Sequence, residues 1–292
     1  MKLAVRIIGS AIAYVLGATI TGMLTPVLHL PTLKVTANML PHADPQRMLL
    51  ILLLSAMVLM LALSPLAAGL RGGWAIRWFA VGLLLYIAIG LNTMLELKIF
   101  STMLPGSALG VSLQLLLPCV LAAAVLTLPI GARKEAPTMG HFTVASWSGR
   151  LVLAWLTFPV CYWVFGMCVA PFVIGHYQSG ELGLIIPAPL VILRMVLLRS
   201  ALFLAASFPA ILLWRRSRTQ FIIAMGLAHS FAVGIFQLAP ASFLPVVLRL
   251  AHSIEITFDS FAYAAVLGLL FIASDKTAES SVPRIAMPRE AL

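Results

Sequence analysis

Eight stretches of this chain run apolar for about 20 residues or more, and no other feature of the sequence limits its fold so sharply. A helix of about 20 residues, rising 1.5 Å per residue, crosses a hydrocarbon core of about 30 Å with its backbone hydrogen bonds closed inside the segment. The runs cover about 7–28, 48–70, 74–97, 108–130, 151–174, 185–214, 221–239 and 251–273. None has the short alternating pattern of a membrane barrel, so the predicted fold is all-α, a polytopic integral membrane bundle of eight transmembrane helices. Composition agrees: 62% of the 292 residues are hydrophobic and 10% are charged, which excludes an ordinary soluble domain.

The formal net charge of +10 does not point to nucleic acid. Lys and Arg form no basic domain and sit mostly at the ends of the apolar runs. Assigning successive connections to alternate sides puts Lys2, Arg6, Arg71, Arg77, Arg133, Lys134, Arg150, Arg215, Arg216, Arg218, Lys276, Arg284 and Arg289 on one side. The other side receives only Lys34, Arg47, Lys98 and Arg249. The richer side is the cytoplasmic one, so both termini are expected inside a bacterial-type inner membrane, with lipids as the first partners. Cys119, Cys161 and Cys168 all fall within apolar runs and show neither metal-ligand spacing nor a disulfide framework.

The polar segment 131–150 divides the runs four and four. The expected organisation is a single transmembrane domain over 1–274, with halves at 1–130 and 150–274, followed by a disordered cytoplasmic tail at 275–292. Runs one and five each carry a Tyr, a Gly and a Pro in that order: Tyr14, Gly17, Pro26 and Tyr162, Gly166, Pro171. That pattern is either the trace of a 4+4 pseudo-repeat, which four spans per half would make parallel, or chance likeness between apolar sequences.

Ionisable residues inside these runs locate a candidate site. His252, Glu255 and Asp259 fall within about 60° of one another on a helix, and Tyr263 continues their stripe one turn on. A carboxylate in hydrocarbon costs a few kcal/mol or more unless it pairs, protonates or meets water, so the stripe must face the protein interior. Helix rise puts Arg199 level with Asp259 near the midplane, and Arg194 and Glu255 higher by about 7.5 Å and 6 Å. The expected pairs are therefore Arg199 with Asp259 and Arg194 with Glu255. Arg194 and Arg199 are about 140° apart on their helix, whereas the two acids are about 40° apart, which favours one pair over both. Glu96 is expected near the outer boundary, where solvation alone can account for it, and His229 at the midplane bonding a neighbouring helix. Asn92 and Gln114 read as interhelical glue.

These residues define the expected function: an inner-membrane permease or a solute- or lipid-handling protein. Its polar cavity is predicted among helices three, six, seven and eight, open outward, with a proline-broken start to helix six lining it. Arg194 and Arg199 would draw a small anionic solute or lipid, while His229, His252, Glu255 and Asp259 bind or relay protons. No cofactor is expected. The enzyme alternative is a metal-dependent hydrolase on His252 and Glu255, whose i, i+3 spacing can share one divalent ion. It lacks a His-Glu-x-x-His motif, and no Gly-x-Ser-x-Gly elbow surrounds Ser230, Ser253 or Ser260. The third alternative is a non-catalytic membrane subunit whose charges serve assembly.

Overall fold

The computed structural model describes residues 2–33, 44–104, 106–128 and 143–273. The midpoint segment around Arg133 and the tail 275–292 lie outside the described residues. Eight helices are long and apolar enough to cross a membrane: α1 Lys2–Val27, α2 Pro45–Gly69, α3 Trp74–Phe100, α4 Ala108–Leu126, α5 Val144–Gln178, α6 Pro189–Leu213, α7 Arg218–Leu238 and α8 Val246–Phe271. The chain is an all-α, multi-pass membrane protein.

Local chemistry sets the helix starts. Asp44, Ser107, Thr143 and Ser217 cap α2, α4, α5 and α7 by accepting the backbone N–H of Gln46, Gly110, Ser146 and Gln220. Pro45 and Pro189 open α2 and α6, where no amide hydrogen is required. The Thr143 cap starts α5 well before the expected 151–174, and its far end takes in His176 and Tyr177, which lie beyond that run. Apolar content alone misplaces both ends, because polar residues continue a helix past the hydrocarbon.

The helices close into a ring in the contact order α1, α2, α7, α8, α5, α6, α3, α4 and back to α1. Half a turn of this ring carries α1 onto α5, α2 onto α6, α3 onto α7 and α4 onto α8, the arrangement of parallel repeats. At one end of the bundle, here called the basic end, the α2–α3 and α6–α7 turns meet about the same axis. The Arg71 N–H donates to Leu213 O at 2.9 Å and the Arg215 N–H donates to Gly69 O at 3.2 Å, on either side of a Leu70–Trp214 bridge. The sequence carries the match at one spacing: Pro45 and Pro189, Pro65 and Pro209, Arg71 and Arg215, Gly82 and Gly226, Gly90 and Gly234 are each 144 positions apart (189 less 45, and so on).

The α3 and α7 counterparts share a further irregularity. Each contains a π-helical segment, Tyr86–Asn92 and Phe231–Ile235, and the two segments touch. A π turn leaves carbonyls without their usual helical partners. Gln237 Nε2 donates to Ile89 O at 3.1 Å and to Thr93 Oγ1 at 2.8 Å, while Thr93 donates to Ala88 O at 3.2 Å. In the first half of the chain, α1 crosses α4 closely: a Cβ on Gly17 would lie 2.6 Å from the Cα of Pro118. Across the ring, α5, α6 and α8 leave space between them.

Candidate functional site

The α8 stripe faces inward. Glu255, Asp259 and Tyr263 are buried, whereas Ile254 and Phe258, turned away from the stripe, are exposed and so meet lipid. Asp259 lies halfway along α8, Arg199 near the middle of α6 and His229 near the middle of α7. The three polar residues thus share a depth, as helix rise predicted.

Their pairing differs from expectation. Arg199 Nη2 forms an ion pair with Glu96 Oε2 at 3.0 Å, and Nε donates to Asn92 Oδ1 at 2.8 Å. The guanidinium also lies over the rings of Tyr162 at 5.5 Å and Phe158 at 6.0 Å. No ion pair joins Arg199 to Asp259 among the described residues. The π segment of α3 contributes to this: its wider turns rotate the residues that follow onto a face a uniform helix would not give them, and the long Arg199 side chain spans the difference in depth. Arg194 is exposed and does not pair with Glu255. It lies only five residues after the start of α6, where a side chain this long can reach the membrane boundary.

Glu255 instead bonds along its own helix. Its Oε2 lies 2.8 Å from His252 Nδ1, and His252 Nε2 lies 3.2 Å from the hydroxyl of Tyr177 on α5. This chain of three runs from the middle of the bundle towards the end opposite the basic turns, the far end. Gly166 on α5 makes room for it, because a Cβ there would come within 3.2 Å of Glu255 Oε1. His229 bonds Ser207 on α6 at 3.0 Å, and its ring lies between Phe203 and Tyr263. That interhelical bond is one of the two roles expected of it, the other being to bind or relay protons.

A cavity of about 460 Å³ joins these groups, bringing together Glu96, Arg199, His229, His252, Glu255 and Asp259. Of the sequence-derived site residues, only Arg194 stays outside it. Its walls come from α3, α6, α7 and α8 as expected, and equally from α5, which the sequence reading omitted. The omission has a simple reason: the α5 contribution is apolar and aromatic, including Phe158, Trp163 and Met167, and carries no charge to flag it. The extended stretch before Pro189 adds Leu184 and Ile186, as the proline-broken start of helix six predicted.

Among the described residues, three buried polar atoms on the lining of this cavity have no hydrogen-bond partner: Asp259 Oδ1, Arg199 Nη1 and Tyr263 Oη. Elsewhere, Gln114 donates to Pro31 O at 2.6 Å, a joining role like the one expected of it. Among the described residues, no group of three His, Cys, Asp or Glu is placed to hold a metal ion, so His252 and Glu255 remain a pair without a third ligand. The chain matches no family model, no curated protein and no solved structure.

Proposed function

We propose that this protein is a proton-coupled permease or solute-handling protein of a bacterial-type inner membrane, with its cavity facing outward. The observation that supports this most directly is Asp259. Its carboxyl is buried halfway along a spanning helix, has an oxygen without a partner, and lines a cavity that also holds Glu255 and His252. A structural ion in hydrocarbon is held by its counter-ion, as Arg199 is by Glu96. Asp259 has no such partner among the described residues, and a carboxyl in that position escapes the penalty by taking a proton or meeting a cation. The Glu255–His252–Tyr177 chain supplies a route for protons towards the far end. The excess of Lys and Arg on the basic-end side supports both termini being cytoplasmic and the far end being outside.

The anionic solute anticipated from two arginines fits this geometry poorly, since Arg194 is outside the cavity and Arg199 is paired. The hydrolase reading lacks a third metal ligand among the described residues. The test needs no substrate. Protein reconstituted in liposomes on a solid-supported membrane should give a transient charge displacement after a pH jump. Asp259→Asn with Glu255→Gln should abolish it. A silent wild type, or an unchanged double variant, would leave the cluster an assembly device and the protein a non-catalytic subunit.

A further inference from the structure

Resting on that reading, we infer that the cavity takes a membrane-dissolved organic cation, which exchanges for a proton at Asp259. Two independent observations carry this: the charge balance of the cavity and the position of its mouth.

Three carboxylates, Glu96, Glu255 and Asp259, face one guanidinium and two imidazoles, of which His229 is held by Ser207. Glu96 is paired with Arg199, and Glu255 with His252. That leaves Asp259, 94% buried and with Oδ1 unpartnered, as the acid in surplus. The groups around it from each packed helix are Arg199 on α6, Glu96 on α3, His229 on α7, Cys161 and Tyr162 on α5, and Glu255, His252 and Tyr263 on α8. The only full positive charge among them is the Arg199 already held by Glu96. The chain as a whole is strongly basic, so a net acidic cavity is a local arrangement. The remaining wall is aromatic and aliphatic and includes Trp163, Phe203 and Tyr263, rings of the kind that attract a cation and tolerate its hydrocarbon.

The mouth decides from which phase such a cation comes. At the far end, Leu184 of the α5–α6 connection packs with Val173 and Leu248, all buried, and the Ser101–Leu184 bridge pins the connection across the bundle. Sideways the cavity is open. The lining residues Trp163, Met167, Ile174 and Ile186 are 38%, 63%, 44% and 52% exposed, and they lie along α5 and the connection leading into α6. Bonds from Trp155 Nε1 to Leu197 O and from Ser200 Oγ to Trp155 O join α5 to α6 nearer the basic end, so the gap is confined to their far halves. A solute already in the bilayer reaches Asp259 through hydrocarbon-facing side chains. An inorganic ion, which stays in water, does not.

Tetraphenylphosphonium and tetraphenylborate are near-isosteric and differ in the sign of their charge, which makes them the test pair. In lipid nanodiscs, the protein should bind radiolabelled tetraphenylphosphonium saturably above empty discs, with binding weakening as pH falls because protons compete. Asp259→Asn should weaken it at least tenfold, Asp259→Glu should keep it, and Arg194→Gln should leave it unchanged. If the Asn variant does not fold, proton competition in the wild type reads the same linkage. Saturable borate binding without phosphonium binding overturns the inference and leaves the proton-coupled cavity standing, as does phosphonium binding indifferent to both pH and Asp259→Asn. If neither ion binds, the inference falls, and the pH-jump displacement decides whether the underlying reading falls with it.

Discussion

Arg199 sits near the middle of a spanning helix because of Glu96, a residue the sequence places at another depth. The Arg199 side chain is 4% exposed and that of Glu96 is 35% exposed, so removing the acid strands a buried charge that water only partly reaches. Glu96→Gln is expected to lower stability in detergent unfolding by about 2 kcal/mol, below the ~3–5 kcal/mol of a fully buried pair. Adding Arg199→Gln should recover more than half of that loss. A double variant as unstable as the single would show that the guanidinium is not the cause. Gly166→Val makes a second residue-scale test: its side chain would displace the Glu255 carboxyl and reduce the pH-jump charge without preventing insertion. The inward stripe of His252, Glu255, Asp259 and Tyr263 was legible because helix periodicity fixes which residues share a face. The partner of Arg199 was not, because periodicity within one helix says nothing about an irregularity in another.

At the scale of elements, the π segments of α3 and α7 shape the site. They bring Asn92 and Glu96 to Arg199, and Gln237 ties the two segments together through Ile89 O and Thr93. Gln237→Leu leaves those groups without their donor and is expected to cost about 1–2 kcal/mol. Gln220→Leu, at an exposed position on the same helix, should be close to neutral. Equal effects in thermal melts would contradict the role given to Gln237. The helix starts could be read from Asp44, Ser107, Thr143 and Ser217 once the structure showed them as caps, but a reading by hydropathy passes over them. The same blindness hid α5, whose contribution to the cavity is its aromatic face and the space left by Gly166.

For the whole molecule, eight spans and the helical class followed from run length, whereas the ring order did not. The Tyr, Gly and Pro shared by α1 and α5 are a fainter trace of repetition than the constant 144-position spacing through α2, α3, α6 and α7. The reciprocal bonds of Arg71 and Arg215 give that spacing its physical sense. We propose that 1–130 and 150–274 are two halves of one domain, joined through the α2–α7 and α3–α6 contacts. Chains cut between residues 136 and 137 should then copurify when coexpressed, and neither should be stable alone. The most direct test of the account is the reach of its cavity. In a cysteine-free background, Ser260→Cys, which lines the cavity beside Asp259, should react with a lipid-soluble maleimide dissolved in the bilayer. Ala123→Cys, buried in the other half, should not react. Labelling at Ser260→Cys and not at Ala123→Cys is the predicted result. No labelling at Ser260→Cys, or equal labelling of the two, would contradict it.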